Sequence, residues 1–153
     1  MILYTAYEVL IIGLLSATIA QLIKFFMFLI VNGKVNFKCL TTTGGMPSAH
    51  SAGVISLATT VGLIDGFDST IFAVAMGLAL VVMYDAAGVR RAAGKIAATL
   101  NKIKDEFYKH NTAAAGEKLK ELLGHTPFEV FAGALLGVFC AYSMHLWFIY
   151  LDI

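Results

Sequence analysis

Three short segments of this sequence gather residues that can hold an anion and move a proton: Gly44-Gly45-Met46-Pro47-Ser48-Ala49-His50-Ser51, Tyr84-Asp85-Ala86-Ala87-Gly88-Val89-Arg90-Arg91 and Gly124-His125-Thr126-Pro127-Phe128-Glu129. In the first, a glycine turn at Gly45 feeds the start of an apolar run. A helix N-terminus there offers free backbone N–H groups and a favourable dipole to an anion, phosphate being the obvious one. Ser48 can add a hydroxyl, and His50, one turn in, can give or take a proton near neutral pH. The plainer alternative is that Ser48 caps the helix and His50 sits at an interface.

In the third segment Thr126, Pro127 and Glu129 match a capping box with proline at the first helical position. That accounts for Glu129 without chemistry but leaves His125 over. An acid at Glu129 would orient the His125 ring, fix its tautomer and raise its basicity, and the two roles are compatible. In the second segment Arg90 and Arg91 are headgroup anchors when considered alone. Beside two histidines and a glycine-led helix start, their planar forks suit phosphate oxygens. Asp85 has three options: pairing with an arginine, bonding a histidine or helping to hold a metal. Pairing comes first, since a lone carboxylate there is expensive. Lys24, with Gln21 one turn away on the same face, either snorkels to headgroups or points inward as a phosphate ligand. The inward reading is preferred because Lys34 and Lys38 follow for anchoring.

The elements that must carry these residues are membrane helices. Of 153 residues, 59% are apolar and mean hydropathy is +0.80, too greasy for an ordinary soluble domain. Net charge is only +1, which gives no reason to expect nucleic acid. Four runs, at about 9–31, 46–64, 69–89 and 128–151, each approach the roughly 20 residues needed to cross a bilayer. Lipid offers the backbone no partners, so the fold class is an all-α integral membrane protein, one domain over 1–153 with a bundle of about four transmembrane helices. Met1 to Leu10 has no Lys or Arg and contains Glu8, so the first run reads as a retained helix rather than a signal peptide.

All basic residues fall toward one side: Lys24, Lys34 and Lys38, then Arg90 through Lys120. The positive-inside rule makes that side cytoplasmic and puts both termini outside, with Tyr4, Tyr7, Trp147 and Tyr150 as an outer belt in the cell membrane. The three polar segments then share the inner face. Between spans three and four, about 92–123, one or two surface amphipathic helices are expected. Ile96, Leu100, Ile103 and Phe107 recur at helical spacing, which suits a helix on the inner surface or one packed on the bundle ends. A break is expected at Asn111 to Gly116, then a short helix with Leu119, Leu122 and Leu123. The pairs Ala73 and Gly77, Ala75 and Ala79, and Gly133 and Gly137 permit close helix contact, within one monomer or, secondarily, across a homo-oligomer. Cys39 and Cys140 lack the spacing of a disulfide framework or zinc site and read as free thiols.

Taken together, these motifs resemble the divergent branch of the type 2 phosphatidic acid phosphatase superfamily, related to vanadium-dependent haloperoxidases. The resemblance covers most of the chain. Its carriers are Gln21 and Lys24, Gly44 to Ser51, Asp85 to Lys95, and Gly124 to Glu129. It implies that Ser48 is a phosphate ligand, His50 the leaving-group acid and His125 the nucleophile, with Glu129 in place of the usual Asp. The family arginine has no counterpart six residues before His125, where Leu119 stands, so Arg90 or Arg91 would enter from the end of span three. Ala49 replaces a motif glycine, and Lys24 or Lys38 stands in for an absent Lys, six residues, Arg-Pro element. The implied activity is hydrolysis of a lipid phosphate monoester or diphosphate through a phosphohistidine, with no cofactor. The alternative is a non-catalytic lipid-phosphate or anion-binding membrane protein or carrier.

Overall fold

Between Ile2 and Asn32 the sequence has no proline and is rich in Leu, Ile and Phe, so in lipid its backbone can be satisfied only within a helix. The computed structural model describes residues 2–33, 35, 44–107, 118–119 and 124–150, with side chains from residue 6 onward in the first helix. It contains α1 (Ile2–Asn32), α2 (Ala49–Asp65), α3 (Thr70–Ala87), α4 (Val89–Phe107) and α5 (Pro127–Tyr150). Among the described residues all regular structure is helical. Three stretches, Ala6–Asn32, Thr70–Phe107 and Pro127–Tyr150, are long and apolar enough to cross a membrane. The chain is an all-α integral membrane protein.

Helix α2 is the hub, packing on α1, α3 and α5. Much of it is buried although it carries several hydroxyls, including Ser51, Ser56, Thr59 and Thr60. Ser56 donates to the Gly53 carbonyl at 2.9 Å and Thr60 to the Ser56 carbonyl at 2.8 Å. Such back-bonding lets small polar side chains sit inside an apolar bundle without stranded donors. By contrast α1, α3 and α5 turn large apolar side chains outward, among them Leu14, Val74, Leu78, Phe131 and Phe139.

Glycines set the helix register. A Cβ on Gly133 would overlap the Ser48 carbonyl, and one on Gly137 would lie 2.5 Å from the Ala52 carbonyl oxygen. The pairing rises along both helices together, so α2 and α5 run parallel. Gly53 meets Ala17, and Gly45 meets the Lys24 stem; α1 therefore runs antiparallel to α2. Gly133 and Gly137 thus serve packing inside one chain, as does the buried Ala79. Ala73 and Gly77 lie on the exposed face of α3. Gly137→Ala is expected to destabilise the bundle by about 1–3 kcal/mol through overpacking. Gly77→Ala, with open space around it, is expected to be neutral or stabilising by up to about 1 kcal/mol. Thermal unfolding in detergent, followed by circular dichroism, compares the two.

The helix boundaries shift the expected spans. The second begins at Ala49 rather than 46 because Ser48 caps it: its hydroxyl accepts from the Ser51 N–H at 3.4 Å. Gly88 ends α3, its N–H bonding the Tyr84 carbonyl at 2.8 Å, and α4 starts at once. In α4 Gly94, Ala97 and Asn101 are buried, while Ile96, Leu100, Ile103 and Phe107 are exposed. The expected break at Asn111 to Gly116, and Leu122 and Leu123, lie outside the described residues, as do Lys34, Lys38 and Cys39. Leu119 is described and is not helical. It pairs through its backbone with Asn101, which donates to the Leu119 carbonyl at 2.8 Å and accepts the Leu119 N–H at 2.9 Å. Lys118 pairs with Asp105 at 2.7 Å beside it. At the other end of the bundle, Glu8 of α1 meets His145 of α5 at 2.6 Å, both side chains largely buried.

Candidate functional site

The polar segments converge because four helix ends meet at one end of the bundle: the C-terminal part of α1, the N-termini of α2 and α5, and the C-terminus of α3. Two backbone bonds lock them. The Ser48 N–H donates to the Glu129 carbonyl at 3.1 Å, and the His125 N–H donates to the Ala86 carbonyl at 2.9 Å. Gly124 makes the second possible. Its φ is +85°, and a Cβ there would overlap the backbone of Arg90 and Arg91, so glycine is required on both counts.

His125 is buried, 4% exposed. Its Nδ1 lies 3.1 Å from Glu129 Oε2. The same carboxylate oxygen accepts the Thr126 N–H at 3.2 Å, while the Glu129 N–H donates to Thr126 Oγ1 at 3.3 Å. The capping box and the histidine contact coexist in one carboxylate. A small cavity is lined by His50, Val82, Ala86, Arg90 and His125. It brings the two histidines and one arginine to a common space, across 75 residues of sequence between His50 and His125.

Arg90 lines this cavity, whereas Arg91 is exposed and contributes its backbone to the Gly124 contact. The Arg90 Nε donates to Asp85 Oδ2 at 2.6 Å. Both side chains are substantially exposed, 49% and 39%, so the pair is worth little as stability. Its effect is positional: Asp85 holds the Arg90 side chain through Nε at the cavity wall. Lys24 is buried, 6% exposed, and its Nζ donates to Gln21 Oε1 at 3.2 Å. Its methylene stem passes beside Gly45, where the chain turns at a φ of +85° that favours glycine. Lys24 is thus directed into the bundle rather than to the surface.

Ser48 stands differently. It is fully buried, and its hydroxyl accepts from the Ser51 hydroxyl at 3.0 Å as well as from the backbone. It holds the start of α2 and does not line the cavity. Lys38 lies outside the described residues. Among the described residues no three His, Cys, Asp or Glu side chains gather to hold a metal ion.

Two structural residues escaped the sequence reasoning. Asn101 fastens the returning chain, and its burial beside Gly94 and Ala97 emerges only from the fold. Ala86 supplies the carbonyl that seats His125, and nothing in an alanine announces that.

No solved structure matches this chain. Over 136 residues it is 43% identical to "Uncharacterized membrane protein YuiD" of Bacillus subtilis (strain 168), a match spanning 82% of this chain and 86% of that protein. A family profile described as the divergent PAP2 family matches residues 5–140, which takes in every residue that lines the cavity. A match running from the first helix into the last, through each of the three polar segments, places this chain in the divergent PAP2 family.

Proposed function

We propose that the protein is a membrane phosphatase that hydrolyses a lipid phosphate monoester or diphosphate through a phosphohistidine intermediate. The observation that carries this reading is the contact between His125 Nδ1 and Glu129 Oε2 at the wall of a cavity shared with His50 and Arg90. An ionised Glu129 accepts a hydrogen bond from Nδ1–H, which leaves the Nε2 lone pair for attack.

Nε2 of His125 attacks phosphorus and the P–O bond to the lipid breaks. His50, protonated, gives its proton to the leaving oxygen. Water then attacks the phosphohistidine, its proton passing to the now neutral His50, and the P–N bond breaks to release phosphate. The terminal nitrogens of Arg90 and the buried ammonium of Lys24 stabilise the equatorial oxygens. Arg91 serves the loop contact. Ser48 acts by fixing the α2 N-terminus, with Gly45 making the turn that precedes it and Asp85 holding Arg90. A screen for phosphate release by the purified protein over phosphatidate, phosphatidylglycerophosphate and a polyprenyl diphosphate tests the reading. Turnover of one is expected, and silence on all three would leave an anion-binding or carrier role in its place.

The membrane placement obeys the same logic. In our reading α2 is a fourth span, its 17 residues covering ~25 Å at helical rise, short for a bilayer but enclosed by three longer helices. Helix α4 lies on the membrane surface, since Ile96, Leu100, Ile103 and Phe107 are exposed rather than packed on the bundle. The cavity faces the cytoplasm from the cell membrane, with both termini outside. A cysteine placed at Asn111, in a chain with Cys39 and Cys140 changed to serine, is expected to resist a membrane-impermeant maleimide on intact cells. Ready labelling would reverse the orientation.

A further inference from the structure

A second depression opens beside the catalytic cavity, and His50 belongs to both. It runs between α1 and α2. Its floor is Gly13, Ala17 and Gly53, its flanks include Leu14, Val54 and Leu57, and apart from His50 at one end every lining residue is apolar. The empty space is about 570 Å³, counted with its open side. The floor has a sequence cause. Gly13 and Gly53 stand where the two helices touch, a Cβ on Gly53 falling 3.3 Å from both Ala17 Cβ and the Gly13 carbonyl. The two glycines let the helices approach closely there, so the floor of the depression is the seam between them. From Ala49 to Leu57 it extends ~12 Å along α2. Leu14, on its rim, is 70% exposed, so the open side faces outward from the bundle.

We infer that this groove holds one hydrocarbon chain of the lipid whose phosphate occupies the His50, Arg90 and His125 cavity. The inference rests on the proposed phosphatase reading for the headgroup, and the groove adds which part of the lipid lies where. The occupant is set by the chemistry at each end. Arg90 and Lys24 near His50 supply cations for a phosphate, while the rest of the groove offers only apolar surface, which methylene groups can pack against by dispersion contact. A ligand with an anionic head and a single apolar tail leaving it matches both ends at once. The tail enters from the bilayer between α1 and α2, so the headgroup reaches His50 along the helix seam.

The test uses an alkyl phosphate with a mid-chain diazirine, photolysed on the full-length protein in detergent, with adducts mapped by mass spectrometry and phosphate release from the same compound measured in parallel. Adducts are expected in 10–17 and 49–57. Ala17→Leu, which puts a side chain into the floor, is expected to lower them strongly by occupying the space the chain would fill. Adducts confined to α3, α4 or α5, or none at all, would overturn the groove assignment even if phosphate is released. Adducts in the groove without phosphate release would sustain it and overturn the phosphatase reading instead.

Discussion

Phosphate release from a lipid phosphate is expected to fall about 1,000-fold or more on His125→Ala, with loss of any acid-labile phosphoenzyme. The size reflects what the ring does. In the proposed mechanism it supplies the attacking nitrogen, and removing a nucleophile leaves only binding and electrostatic stabilisation by the cations around the phosphate. The substitution is also clean. His125 is held to Ala86 through its backbone N–H, which alanine keeps, and Glu129 retains its bond from the Thr126 N–H. The bundle should therefore fold, and circular dichroism of the purified variant in detergent checks that it does. Turnover equal to that of the parent protein would remove His125 from the mechanism.

His50→Ala is expected to slow phosphoenzyme formation by roughly 100- to 10,000-fold on a lipid alkoxide leaving group, the range for loss of a positioned general acid. An aryl phosphate needs little protonation as it departs. On that substrate, followed in a single turnover, the same variant should lose far less. The difference separates acid catalysis from mere shaping of the cavity, because a distorted cavity slows both substrates alike. Equal losses on the two would assign His50 a structural part.

How much was legible in the sequence depends on the range over which the physics acts. Hydropathy found the helices because a bilayer imposes the same demand along a whole run, and it placed the start of α5 within a residue. The capping box at Thr126 to Glu129 was readable because its partners are three residues apart, and the His125 contact because it is one turn. The second helix was harder. Met46 and Pro47 continue the apolar run of α2 backward, so hydropathy ran past the cap at Ser48. The choice between Arg90 and Arg91 was closed to one-dimensional reasoning. Adjacent residues on a helix differ by about a quarter of a turn, and only the packing of Gly124 on their backbone decides which one reaches the cavity. Asn101 and Leu119 meet across 18 residues, and no pattern within either segment encodes that meeting.

The Glu8 and His145 pair lies 137 residues apart in sequence and sixteen residues along α5 from Glu129, ~24 Å at helical rise. It ties the first helix to the last at the end remote from the cavity. A carrier that passed its cargo through the middle of the bundle would have to part that clasp on every cycle. A hydrolase needs no such exit, because both products can go back the way the lipid came. Under the proposed activity the bundle is a one-sided reaction vessel, closed at the bottom by a carboxylate and an imidazole and working on a single leaflet.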